Sequence, residues 1–264
     1  MRLAGVQFSA PRPKKGSMKL KGKIVVITGS SSGIGEATAL LFAKEGAKIV
    51  VNSKTNKKGG EGVVDEIKKA GGDAIYVQAD VSDPRQAKVL FDRTIDEYGT
   101  LDVLINNAGR YEGQNFLTAS KDSWLRIFDN NLFSTVLCSQ YAAQIMLKKG
   151  AGKILNTASV YGLEHTGDPS GMAYSVAKAA VISFTKNLAK LWAPKILVNA
   201  VAPGYVEVQK FKTYSENSRR GMIKEMRLGR FITPQEIAEA FLYLATAGAV
   251  TGEVLVIDGG LSLK

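Results

Sequence analysis

The segment GMAYSVAKAAV, residues 171–181, places Tyr174 four positions before Lys178, a spacing that none of the other eight tyrosines shares. Its neighbours Met172, Ala173, Val176, Ala177, Ala179, Ala180 and Val181 are helix formers or apolar. The pair is therefore expected on one helical face, one turn apart. A free phenol titrates near pH ~10; a nearby ammonium favours the phenolate and would lower that value for proton transfer. Two neighbours on a wet helix surface would show the same spacing, so the rest of the chain has to decide.

A second group of residues suits anion binding. In VITGSSSGIGEATALLFAKEGAKIVV the glycines fall at 29, 33 and 35, between an apolar run and an amphipathic stretch. Gly29 lets the chain turn sharply out of a strand, while Gly33 and Gly35 allow a pyrophosphate and a helix start to approach the backbone. Ser30, Ser31 and Ser32 add hydroxyls, and Ile34 lies inside the same turn. The run that follows the helix ends in VVNSKTNKK, with Asn52, Ser53 and Lys54 where an acid would grip an adenosine 2′-hydroxyl; no acid occurs between Gly46 and Gly60. An amide beside a lysine suits a 2′-phosphate, which favours NADP(H), with NAD(H) as the alternative.

These residues need a scaffold that brings them together. Apolar runs at 23–28, 47–52, 74–81, 101–109, 152–159, 195–204 and 252–260 read as seven strands. Helical stretches are expected at 36–46, 62–72, from Asp83-Pro84 onward, and near 120–148, 172–192 and 234–247. Nearly all-apolar strands alternating with helices predict an α/β fold: a doubly wound, seven-stranded parallel sheet covered on both faces. No internal repeat or linker divides it, so residues 19–264 read as one domain of Rossmann type.

Composition narrows the function classes. The chain has 264 residues, 45% hydrophobic and 22% charged, a globular balance with no apolar run of membrane-spanning length. One cysteine excludes an internal disulfide and suits a reducing compartment, so a cytoplasmic location is expected. One histidine and one cysteine argue against zinc. Formal charge is +11, and residues 1–17 hold Arg2, Arg12, Lys14 and Lys15 with no acid. Residues 1–18 read as a disordered basic extension, with Met18 a plausible initiator. Positive charge alone would allow nucleic acid, but no groove-reading or zinc motif accompanies it, so no nucleic-acid partner is expected.

From about Lys19 onward the ordered set of fragments resembles the short-chain dehydrogenase/reductase family. TGSSSGIG (28–35) resembles its cofactor turn and YSVAK (174–178) its Tyr-x-x-x-Lys, while PG (203–204) and VIDGG (256–260) fit later landmarks. The resemblance implies adenine contacts at Asp80 and Val81, a cofactor loop at Asn107, Ala108 and Gly109, and contacts at Pro203, Gly204 and the backbone of Val206. It also implies that Tyr174 is general acid for ketone reduction and base for alcohol oxidation. Lys178 would lower its pKa and hold the nicotinamide ribose, and Ser159 would stabilise the substrate oxygen, with Thr157 the fallback hydroxyl. Asn130 and Asn131 both lie where the family holds a relay water, and its Trp-to-Asn-Leu spacing selects Asn131. The family further implies a homo-oligomer, a tetramer using the helices around 120–148 and 172–192.

Several positions depart from the pattern. Ser159 and Tyr174 are 15 apart, implying an enlarged loop through LEHTGDP that carries His165, expected to face solvent. Val208 stands where many relatives carry a threonine. Cys138 and Trp192 are expected to pack. Substrate choice is assigned to 205–230, with seven Lys/Arg against three acids. A net-positive flap leans toward an anionic partner such as a carrier-bound 3-oxoacyl thioester. A sugar or polyol dehydrogenase, or a non-catalytic NADP-binding sensor, are the alternatives.

Overall fold

A computed structural model describes residues 18–263; the basic stretch 1–17, with the expectation placed on it, lies outside them, as does Lys264. In chain order the elements are β1 (Ile24–Ile27), α1 (Gly33–Lys44), β2 (Lys48–Ser53), α2 (Lys57–Lys69), β3 (Asp73–Gln78), α3 (Pro84–Tyr98) and β4 (Val103–Asn106). There follow α4 (Lys121–Phe128), α5 (Ser134–Lys149), β5 (Gly152–Thr157), α6 (Met172–Trp192), β6 (Ile196–Pro203), α7 (Glu216–Glu225), α8 (Pro234–Thr246) and β7 (Val254–Ile257). The strands form one parallel sheet in the order β3-β2-β1-β4-β5-β6-β7. The winding reverses between β1 and β4, which opens a crevice at the carboxyl ends of these strands.

The all-apolar strands reflect burial on both faces. In β1, Val25 and Ile27 join the layer of Phe42, Ile67 and Phe241, whereas Ile24 and Val26 join that of Leu90, Met146 and Ile154. Cys138 is fully buried in the second layer, and Trp192 packs half-buried against it.

Helix starts fall earlier than the periodicity suggests, for local reasons. The Asn56 side chain accepts from Gly59 N at 3.1 Å, so α2 begins at Lys57 rather than near 62. Gly60 presses on Tyr76, where a Cβ would lie 2.2 Å from the ring. Helix α1 begins at Gly33, inside the glycine turn, instead of at Glu36. The stretch expected as one helix near 120–148 is divided by a π turn, Asp129–Phe133, which separates α4 from α5. Such a wide turn re-aims the side chains within it, and here it holds Asn131 fully buried.

Candidate active site

The glycine turn is built for close approach. Gly29 and Gly33 have φ of +63° and +60°, the left-handed region that side chains resist. A Cβ on Gly29 would lie 2.9 Å from Ala108 Cα, and one on Gly35 only 2.5 Å from Gly29 O. Asn107 locks the turn: its Nδ2 donates to the carbonyls of Thr28 and Gly29 at 3.0 and 3.1 Å. The backbone N–H groups of Asn107 and Ala108 both donate to Thr28 Oγ1. Ser32 precedes α1 and makes no side-chain capping bond, so its hydroxyl and the first-turn N–H groups face the crevice. A backbone cradle at a helix start, too tight for side chains, fits a dinucleotide pyrophosphate.

The adenosine side differs from the sequence reading at two positions. Asn52 is buried and its side chain is committed to main chain: Nδ2 donates to Val77 O and Ala79 O, both at 3.1 Å, and Oδ1 accepts from Gly29 N. It pins the turn to β2 and β3 rather than offering a hand to a ribose. Ser53 Oγ is hydrogen-bonded to Tyr76 OH at 2.8 Å. Lys54 remains exposed but is paired with Asp80, Nζ to Oδ2 at 2.6 Å. With Asp80, Val81 and Gly109, Asn52 and Lys54 line a small cavity of about 130 Å³ beside the main cleft, and Ser53 does not.

At the other end of the crevice, Ser159 follows β5 and its Oγ accepts from Tyr161 N at 3.2 Å, capping a short 3-10 turn. That turn lies directly on α6: a Cβ on Gly162 would come within 2.6 Å of the Lys178 backbone. The serine turn and the helix carrying Tyr174 are thus fixed to one another, and Ser159 and Tyr174 line the same cleft. Lys178 is buried below the Tyr174 ring, Nζ 5.6 Å from its centroid, and donates to Thr157 O at 2.7 Å. Thr157 Oγ1 is buried at the cleft wall with no hydrogen-bond partner among the described residues, a further polar atom suited to a bound group. Asn131 rather than Asn130 points here; its Nδ2 donates to Arg110 O and Ile127 O and its Oδ1 accepts from Arg110 N, all at 3.0 Å. Both amide hydrogens are engaged, so the side chain braces the loop after β4. It does not present a donor to a relay water.

Burial governs the charges of the pair. It pushes the Tyr174 phenol up to about 12, with the neighbouring Ser159 hydroxyl acting in the opposite direction. Burial lowers the Lys178 ammonium to about 8. Desolvation is the largest cause at both groups and favours their neutral forms.

Comparison with known proteins agrees with this arrangement. A sequence family described as enoyl-(acyl carrier protein) reductase matches residues 29–262. A 3-oxoacyl-[acyl-carrier-protein] reductase of Synechocystis sp. is 38% identical over 92% of this chain and 98% of that protein. An uncharacterized oxidoreductase of Methylorubrum extorquens is 41% identical over 92% and 99%. The crystal structure of a short-chain type dehydrogenase/reductase from Mycobacterium marinum superposes with a TM-score of 0.88 at 33% identity, covering 94% of this chain and 98% of that one. The chain belongs to the short-chain dehydrogenase/reductase family. It is an NAD(P)-dependent oxidoreductase acting on carbonyl or alcohol groups.

The substrate side of this dehydrogenase/reductase holds most of what the sequence reading missed. The main cleft, about 890 Å³, is lined by Tyr111, Tyr161, Tyr205 and Tyr214 as well as Tyr174, five of the nine tyrosines. Tyr111 meets Tyr174 edge-on, centroids 5.3 Å apart, and donates to Asp168 Oδ2 at 2.7 Å. Tyr161 OH contacts Tyr205 OH at 2.8 Å, and Tyr205 OH donates to Glu225 Oε2 at 3.0 Å, tying the flap to the serine turn. Tyr111, Tyr161 and Tyr205 follow the landmarks Gly109, Ser159 and Gly204 by one or two residues, which was the available signal: ligands bind where strands of such sheets end.

The flap itself corrects the charge argument. Arg219 is paired with Glu207 at 2.8 Å, Arg220 with Glu216, Arg230 with Glu236 at 2.7 Å, and Arg227 donates to Leu263 O. These arginines hold the flap to itself and to its surroundings, so the excess of basic residues there does not of itself indicate an anionic partner. Val208 sits over the turn, its Cγ1 3.1 Å from a Cβ built on Gly33. Val206 is buried in a bridge to Ile232 and is among the residues lining the cleft. Pro203 and Gly204 also line the cleft, and Gly204 packs tightly on Asp258. His165 is exposed.

Proposed function

We propose that the protein interconverts a ketone and a secondary alcohol using NADP(H), with Tyr174 as the proton donor in reduction and the acceptor in oxidation. The convergence of Ser159 and Tyr174 on one cleft, with Lys178 buried beneath the Tyr174 ring, carries this reading. The glycine turn, Asn107–Gly109 and Lys178 would hold the nicotinamide cofactor, which would supply the hydride. Ser159 and Tyr174 donate hydrogen bonds to the carbonyl oxygen, so developing negative charge meets donors already in place. Tyr174 then yields its proton, and the phenolate is stabilised by the Lys178 ammonium. A phenol protonated at neutrality suits the reductive direction. Asn131 is a positioning residue for the loop that faces Lys178.

Preference for NADP(H) follows from the acid-free end of β2 and from Lys54, the exposed cation beside the smaller cavity. For the substrate, a 3-oxoacyl thioester is favoured by the relatives so named. A polyol is the second reading, favoured by the five phenols lining the cleft. The reading includes a cytoplasmic homotetramer: Leu125, Phe133 and Val176 on the α4–α6 side are exposed apolar residues suited to such contacts. Among the described residues no helix is long and apolar enough to cross a membrane.

A panel of acetoacetyl thioesters, diketones and sugars run with NADPH and NADH, and of polyols run with NADP⁺ and NAD⁺, tests the proposal. Fastest NADPH oxidation with the thioester is expected. Turnover only with polyols and NADP⁺ would select the second reading, and no turnover with any of them would overturn the assignment.

A further inference from the structure

The carboxylate of Asp168 is a cleft-lining charge that the proposed reaction does not use. It lies on the enlarged loop between Ser159 and Tyr174, just ahead of α6. A 21-residue helix directs its free N–H groups and partial positive charge from its first turn, a place where a substrate anion would otherwise be welcome. Here the chain sets its own anion just ahead of that place. Asp168 Oδ1 accepts from Ser170 N at 2.9 Å and Ser170 Oγ at 2.7 Å, Oδ2 accepts from Tyr111 OH at 2.7 Å, and Gly171 N donates to the Asp168 main-chain carbonyl at 3.1 Å.

Tyr111 places this charge one aromatic ring from the reaction centre, since it donates to Asp168 while its edge meets Tyr174. The field reaches across the cleft: after burial and their own hydrogen bonds, Asp168 is among the causes that keep Tyr161 and Tyr205 protonated. Among the described residues the cations lining the cleft are Lys178, which is buried beneath Tyr174 and donates to Thr157 O, and Arg110.

We propose that Asp168 is a specificity-determining residue that excludes ketones carrying an anionic group near the carbonyl and admits their neutral esters, thioesters and amides. This rests on the ketone-reductase reading above. A free 3-oxo acid would bring its carboxylate against a fixed like charge in a confined cleft, whereas the corresponding thioester would not. The same filter would separate a carrier-bound or esterified substrate from its hydrolysis product.

The test compares kcat/KM for acetoacetate with that for its ethyl ester in the wild type, in D168N and in D92N, which removes an equal charge from the exposed surface of α3. The wild type is expected to prefer the ester by at least about tenfold. D168N should raise the acid-to-ester ratio at least about tenfold, and D92N should leave the ratio at the wild-type value. Because D168N also alters the turn before α6, a second arm uses the wild type alone. Acetoacetate should compete with ester reduction at least about tenfold more weakly than acetoacetamide, its neutral isostere. Equal competition, or an unchanged ratio in D168N, overturns the filter while leaving ketone reduction intact. Failure to reduce any of the three ketones overturns the ketone-reductase reading and the filter with it.

Discussion

The cofactor half and the substrate half of the crevice are held together differently. Around the glycine turn, side-chain amides grip main chain: Asn52 reaches the strand ends of β3, Asn107 the turn itself, and Asn131 the loop after β4. On the substrate side, side chains grip one another, as in Tyr111–Asp168–Ser170 and Tyr161–Tyr205–Glu225. The first kind of contact fixes a backbone shape that a common ligand requires. The second can be re-chosen residue by residue without moving the sheet, which makes it the part that sets selectivity.

If that contrast holds, damage to the cofactor half removes binding or stability, and damage to the substrate half shifts kinetic constants. The largest effect is expected for G35V, whose side chain collides with Gly29 O; nicotinamide-fluorescence titration should show affinity reduced about 100-fold or more. Retained affinity would show that the turn tolerates expansion. N52A strips partners from Gly29 N, Val77 O and Ala79 O, and denaturant unfolding should show a loss of about 2–4 kcal/mol. A loss below about 1 kcal/mol would mean that these groups are not buried as described.

The pH profile gives the next effect. The Lys178 ammonium is lost above about 8, and with it the stabilisation of the Tyr174 phenolate. For reduction, kcat/KM should therefore fall on the alkaline side with an apparent pKa of about 8, and K178R should move that limb upward. A flat profile to pH ~10 would remove the lysine from this role. Y205F cuts the tie between flap and serine turn, and KM for the ketone should rise about fivefold with kcat less affected. Smallest is K54A: its ion pair is exposed, so stability should change by less than about 1 kcal/mol, while NADPH affinity falls severalfold and NADH affinity does not.

The halves also differed in how well the sequence disclosed them. The doubly wound, seven-stranded parallel sheet was legible because doubly apolar strands alternating with helices follow from local rules. Asn52 was misread because its environment comes from β3, some 25 residues on. The partners of Arg230 and Arg227, Glu236 and the Leu263 carbonyl, lie outside the flap and are not marked by its composition. The burial of Tyr174 was not legible because a one-dimensional spacing records a neighbouring cation but not desolvation. The Asp168 contacts depend on which loops meet over α6, and no spacing encodes that.

The central claim is that the Tyr174 hydroxyl transfers the proton beside a bound dinucleotide. Y174F measures it directly when cofactor titration and ketone reduction are followed on one preparation. The expected result is a protein that still binds NADPH but reduces its best ketone about 10²–10⁴-fold more slowly. Turnover at the wild-type rate with NADPH bound would contradict it.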